Sequence, residues 1–278
     1  MNIYQFFRPF IFQLNPETAH DVAIKFLKYA PNFVNLFSAN HEYENLNQKL
    51  FGLHFPNPIG LAAGFDKNAE CLLSLSRFGF GFLEVGTVTK KPQPGNPKPR
   101  IFRLEKDKAL INCLGFNNLG SDIFAENIEH FFAEMPKGCI TIGINIGKNK
   151  DSKDAIQDYL DLMVRFYTQA SYITINISSP NTKNLRDLQA GENLTKLLDA
   201  LIQKRSLLQI QYDYKVPILV KIAPDLSEAE QKKIAKTILD KEVDGIIIAN
   251  TTIDRKLDLK TTMVPVSGGL SGKLLFEK

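Results

Sequence analysis

From residue 50 onward, short apolar runs alternate with longer stretches whose apolar residues return every three or four positions. The short runs lie at 59–62, 82–88, 141–146, 172–177, 217–222 and 245–249. They are rich in Ile and Val, and several are apolar almost throughout, as in parallel strands covered on both faces. Helical spacing fills 69–77, 118–135, 154–170, 194–208 and 228–241, and Ser227-Glu228-Ala229-Glu230 opens the last with capping-box spacing. Repeated strand–helix units imply parallel pairing. Six such strands in one rhythm fit an α/β fold of the (β/α)8 TIM-barrel type better than separate domains, with a doubly wound sheet as the alternative.

Two segments break the rhythm. The stretch 101–112, "IFRLEKDKALIN", has two apolar runs around a charged turn and predicts an inserted hairpin. Before it, "KKPQPGNPKPR" is a Pro-rich excursion. Residues 1–40 differ in character from the barrel-like region, 41–278, and predict a helical extension. Tyr4, Phe6, Phe7, Phe10 and Phe12 crowd its start, and Asn15-Pro16 reads as an N-cap and first helical residue. Ala19, Val22, Ala23, Phe26, Leu27 and Ala30 follow as one apolar face. Such a pair of elements either caps a barrel end or lies on a membrane surface.

Composition narrows the classes. The 278 residues are 44% hydrophobic and 23% charged, ordinary for a globular chain. With 34 basic against 30 acidic residues, net charge +4 argues against a nucleic-acid partner. Cys71, Cys113 and Cys139 have no zinc-type spacing, so reduced thiols and an intracellular protein are expected. No apolar stretch approaches the ~18 residues of a spanning helix, and the start is a poor signal peptide.

Barrel enzymes keep their chemistry at the carboxyl ends of strands. Here those ends read Ala63-Gly64-Phe65-Asp66-Lys67, Gly86-Thr87, Asn145-Ile146-Gly147-Lys148, Asn176-Ile177-Ser178-Ser179-Pro180-Asn181, Lys221 and Asn250-Thr251-Thr252, with Asn112 to Asn117 following the hairpin. Uncharged amides offer donors and acceptors in fixed directions, which suits a flat heterocycle edged with C=O and N–H groups. Lysines supply point charges, and Lys221, inside the apolar run "PILVKIAP", needs a reason to be buried. His20, His41, His54 and His130 are scattered and lie off these ends, and no metal site is expected.

"LAAGFDKN", "EVGTVT", "PQPGNPKPRIFRL", "GFNNLG", "GINIGKNK", "NISSPNT", "VKIAPDLS", "ANTT" and "GGLSG" occur in that order. Together they resemble the motifs of the dihydroorotate dehydrogenases, flavin enzymes of pyrimidine synthesis. The N-terminal apolar pair, and serine rather than cysteine in the catalytic loop, resemble the membrane-associated, quinone-reducing class. The resemblance implies oxidation of dihydroorotate to orotate with FMN and membrane quinone as acceptor. It also implies peripheral attachment at the cytoplasmic side of the cell membrane. By the same resemblance Ser179 is the general base. Lys67, Asn112, Cys113, Leu114, Gly115, Phe116, Asn176, Asn181, Asn250 and Thr251 bind substrate. Ala63, Gly64, Phe65, Asp66, Lys67, Thr87, Asn145, Asn176, Lys221, Ala249 and Gly272 contact FMN. Cys113 stands where the family's loop carries arginine. The family also continues beyond this chain's last motif, so the expected barrel lacks its last two strand–helix units. Two alternatives stay open: a truncated product that does not hold FMN, and a related barrel flavoprotein acting on another pyrimidine.

Overall fold

The computed structural model describes residues 3–34, 44–257, 259–261, 264–265 and 267–276. Helices α1 (Ile3–Gln13), α2 (Pro16–Tyr29) and α3 (Pro31–Val34) come first, then an antiparallel hairpin of β1 (Gln48–Leu50) and β2 (Leu53–Phe55). Strand–helix alternation follows: β3 (Gly60–Leu61), α4 (Leu72–Leu75) and β4 (Phe82–Val88). A second hairpin, β5 (Ile101–Leu104) and β6 (Ala109–Asn112), precedes α5 (Ser121–Glu134). The series resumes with β7 (Thr141–Ile146), α6 (Ala155–Phe166), β8 (Tyr172–Asn176), α7 (Gly191–Tyr212), β9 (Ile218–Lys221), α8 (Glu228–Asp240) and β10 (Gly245–Ile247). Strand β11 (Gly269–Gly272) and α9 (Lys273–Phe276) close the described chain.

The main sheet has the order β3-β4-β7-β8-β9-β10, every pair parallel, so consecutive units lie side by side as in a barrel wall. Its edges are β3 and β10, and beyond the latter Ile248 is 81% exposed. The predicted strands are all present. The first is shorter than expected, Gly60–Leu61 alone. Helix α4 is a single turn rather than 69–77: Ala69 sits at φ +57°, and the Asp66 carboxylate takes the amides of Glu70 and Cys71. Helix α5 starts at Ser121 rather than 118, since the Asn118 side chain accepts from Gly120 N–H in a turn. Helix α8 has its predicted capping box on Ser227 and Glu230.

The strands are not apolar on both faces. In β7 and β8, Ile142, Ile144, Ile146, Ile173 and Ile175 are fully buried in the core with Phe124, Tyr159, Leu162 and Leu198 from the helices. The alternate positions, Thr141, Gly143, Asn145 and Tyr172, Thr174, Asn176, are equally buried but polar or small. Period two is therefore intact, and the sheet carries a polar interior face.

Helix α2 docks against the barrel wall. Asn15 caps it by accepting from Glu17 N–H at 3.0 Å. Ile24 and Leu27 join the core, whereas Val22 and Phe26 are 54% and 47% exposed, so the expected single apolar face is split between the core and the outside. Outside lie also Phe6, Phe7 and Phe10, each more than half exposed. Residues 35–40 of the proposed extension, and His41, fall outside the described residues. Sequence reading passed over α9, the β1–β2 hairpin, turned by Phe51 and Gly52 at positive φ, and β11, which extends the β5–β6 hairpin antiparallel to β6.

Candidate active site

The polar interior face brings together side chains from β4, β7, β8 and the segment after β10. Asn145 Oδ1 accepts from Thr87 Oγ1 and, at 3.0 Å, from Asn176 Nδ2, which also reaches Thr87 Oγ1 at 2.9 Å. Asn176 Oδ1 in turn accepts from Ser178 Oγ at 3.0 Å, and Ser178 Oγ accepts from Asn250 Nδ2 at 2.9 Å. Thr87 reaches this ladder because β4 bulges between Gly86 and Val88, turning two successive residues inward. Gly86 holds φ +110°, and a Cβ there would stand 2.4 Å from the Asn145 carbonyl oxygen. Below the ladder lies Glu84, 4% exposed, which the sequence reading missed. The signal was a lone carboxylate in the apolar run "FLEV". Burial and the Glu84 charge hold the neighbouring Tyr172 hydroxyl well above its usual range.

Lys221 is 8% exposed, has no hydrogen bond or ion pair among the described residues, and lies in register with Asn176. It thus faces the same interior. Ala249, Asn250 and Gly272 line a cleft of about 1290 Å³ with Ile222, Ala223 and Phe276.

In the loop after β8 the two serines differ. Ser178 gives its hydroxyl proton to Asn176, whereas Ser179, 6% exposed, accepts from Asn181 N–H at 3.2 Å and has no acceptor for its own proton among the described residues. Asn181 Nδ2 donates to both oxygens of Asn112 at 3.1 Å, tying this loop to the hairpin. Arg186 clamps the back of the loop: it donates to Ser178 O, Asp225 Oδ2 and Thr251 O at 3.0, 3.0 and 3.1 Å. One guanidinium thus joins the ends of β8, β9 and β10. Arg186→Leu leaves Asp225 without its cation and should cost about 3 kcal/mol in urea denaturation, with Arg186→Lys intermediate.

The Pro-rich excursion holds the 112–117 loop. Asn96 donates to the Cys113 carbonyl at 3.0 Å, and Gln93 to the carbonyls of Gly115 and Phe116 at 3.1 Å. Cys113 offers its backbone to this scaffold, while its thiol points to the Ser267 carbonyl. Beyond this loop lies a cavity of about 250 Å³ lined by Lys67, Phe65, His20, Glu17, Leu114 and Asn117. Burial, with Arg100 adding to it, lowers the Lys67 pKa against the pull of Glu17. His20 does not lie off the strand ends: docking of α2 sets its Nε2 2.7 Å from the Phe65 carbonyl. Burial and the Lys67 charge lower its pKa. The Asp66 carboxylate shapes its own loop: its oxygens accept from the Glu70 and Cys71 amides and from the Cys71 thiol.

The protein-family model described as "Dihydroorotate dehydrogenase" matches residues 45–277. The chain belongs to the dihydroorotate dehydrogenase family. It is 49% identical to a dihydroorotate dehydrogenase (quinone) of Allorhizobium ampelinum and 45% identical to one of Delftia acidovorans. Both matches cover 99% of this chain, and 74% and 79% of those relatives. Among solved structures, dihydroorotate dehydrogenase of Eimeria tenella in complex with ferulenol superposes with a TM-score of 0.85 at 39% identity, over 93% of this chain and 72% of that one. The expected family, its quinone class and the barrel-type fold are thus borne out. The family's enzymes are flavoproteins that use FMN. No helix among the described residues is long and apolar enough to cross a membrane.

Proposed function

We propose that the chain oxidises dihydroorotate to orotate with FMN and delivers the electrons to membrane quinone. The observation that carries this reading is Ser179, a buried hydroxyl that takes a hydrogen bond from the loop and keeps its proton unpaired. That arrangement suits a base that passes its own proton to water as it takes the substrate's. The residues fit FMN on two counts. Gly64, at φ +112°, leaves open space where a Cβ would sit, and Lys221 is a buried cation without a partner among the described residues. Bound FMN would supply a hydride-accepting ring. Around it Ala63, Gly64, Phe65, Asp66, Lys67, Thr87, Asn145, Asn176, Ala249 and Gly272 would form the binding wall, and Lys221 would favour electron-rich ring forms. Lys67, the Asn112–Phe116 loop, Asn176, Asn181, Asn250 and Thr251 would hold the substrate, and Ser179 would take its proton. Anaerobic mixing of the FMN-loaded protein with dihydroorotate tests this. Bleaching of the flavin with orotate as product is expected, and an unchanged spectrum would overturn it.

Residues 1–40 would serve as the extension through which quinone arrives, with residues 41–278 carrying the FMN and substrate site. The exposed Phe6, Phe7 and Phe10 support contact with one leaflet. The protein should therefore float with phospholipid vesicles and lose this on deletion of residues 1–13. Flotation of the shortened chain would remove α1 from the attachment.

A further inference from the structure

Glu84 has no part in the chemistry above, yet it is buried at 4% exposure with no cation against it among the described residues. Three donors satisfy it: Asn145 Nδ2 at 2.8 Å on one oxygen, Thr174 Oγ1 at 2.9 Å and Tyr172 OH at 3.2 Å on the other. Thr174 and Tyr172 lie on β8, two strands from β4, and reach Glu84 past Gly143. A Cβ on Gly143 would fall 2.1 Å from the Tyr172 ring.

A carboxylate only accepts. Asn145 must therefore turn its NH2 group towards Glu84 and its oxygen upward, to Thr87 and Asn176. Asn176, its NH2 spent on those two, must turn its oxygen to Ser178, whose Oγ then accepts from Asn250. Each amide direction is forced by the one below it. The capacity left over at Asn145 is a second N–H, not a carbonyl.

We propose that Glu84 is a positioning residue that sets the direction of the Asn145–Asn176–Ser178–Asn250 ladder, so that this wall presents a donor, the second Asn145 N–H, to a flat ligand edged with carbonyls. What that donor faces rests on the function proposed above; the ladder's direction does not.

A charge swap tests it. Asn145→Asp alone sets a second carboxylate against Glu84 and should lower Tm by about 10 °C or prevent folding. In Glu84→Gln/Asn145→Asp every ladder bond can re-form. The amide introduced on β4 donates to the carboxylate introduced on β7 and accepts from Thr174 and Tyr172, while that carboxylate accepts from Thr87 and Asn176. The double variant should recover to within about 3 °C of the parent. In protein labelled with ¹⁵N-asparagine, it should also keep a slowly exchanging Asn176 side-chain NH2 signal. A single Asn145→Asp as stable as the double, or a double no better than the single, would overturn the proposal. FMN loading is scored separately. It is read in the parent, because Asn145→Asp removes the N–H that would face the ring: a parent with the ladder intact that binds no FMN would count against the proposed function and leave the role of Glu84 standing.

Discussion

Ser179→Ala is expected to slow flavin reduction by dihydroorotate by ~10²–10⁴-fold, the usual worth of a general base, while FMN binding stays unchanged. The geometry separates the two adjacent serines. Ser178 lies within the ladder, giving its proton to Asn176 and accepting from Asn250, so its hydroxyl is committed. Ser179 is committed only as an acceptor, from the Asn181 amide. Ser178→Ala should consequently behave differently, lowering affinity for flavin and substrate through the loosened Asn176 and Asn250 amides more than it lowers the rate of proton removal. Stopped-flow bleaching across pH checks both. The deficit of Ser179→Ala should shrink as hydroxide replaces the missing base. An unchanged rate in Ser179→Ala would take that residue out of the mechanism.

The positions of these groups along the strands were legible in advance, because Ile- and Val-rich runs end at Thr87, Asn145, Asn176, Lys221 and Asn250. How they connect was not. Asn145 and Asn176 stand 31 residues apart, and only parallel pairing in the observed register makes them one ladder. Glu84 escaped notice because its partners, Tyr172 and Thr174, are 88 and 90 residues away. Strand β11 has the same origin, since Gly269 pairs with Asn112 across a separation no local pattern encodes. The turn of the β1–β2 hairpin uses Phe51-Gly52 rather than the Asn-Gly or Asp-Gly pair that marks such turns. His20 was misplaced for a related reason. Helical spacing says which residues share a face of α2 but not where that helix docks.

One buried ion pair reinforces the apolar docking of α2, and Arg100→Met should loosen it at a cost of about 3–5 kcal/mol. Arg100 and Glu17 side chains are 7% and 9% exposed, with Arg100 Nη2 and Nε at 2.7 and 3.1 Å from Glu17 Oε1. The same guanidinium donates to the carbonyls of Pro94 and Asn96 at 2.6 and 2.8 Å, so it also fixes the excursion that holds the 112–117 loop. Without it Glu17 retains only Lys98, a largely exposed partner at 3.2 Å. Burial raises the Glu17 carboxyl pKa, but hydrogen bonds and charge from Arg100 and Lys98 outweigh that and leave it below the usual range. A depressed folded pKa means the pair's stabilisation is complete above the ordinary glutamate value of ~4.3 and fades as pH falls through the lower, folded value. The parent should therefore lose stability in that acid window, and Arg100→Met should lose less there, having less to lose. Glu17→Gln/Arg100→Met, which leaves no stranded charge, should recover much of the cost. Functionally, a loosened α2 opens the cavity shared by His20 and Lys67 at the proposed quinone approach. Turnover with a long-tailed quinone should then fall further than dihydroorotate-driven bleaching of the flavin. Equal losses in the two would make α2 a cap on the barrel with no part in electron delivery.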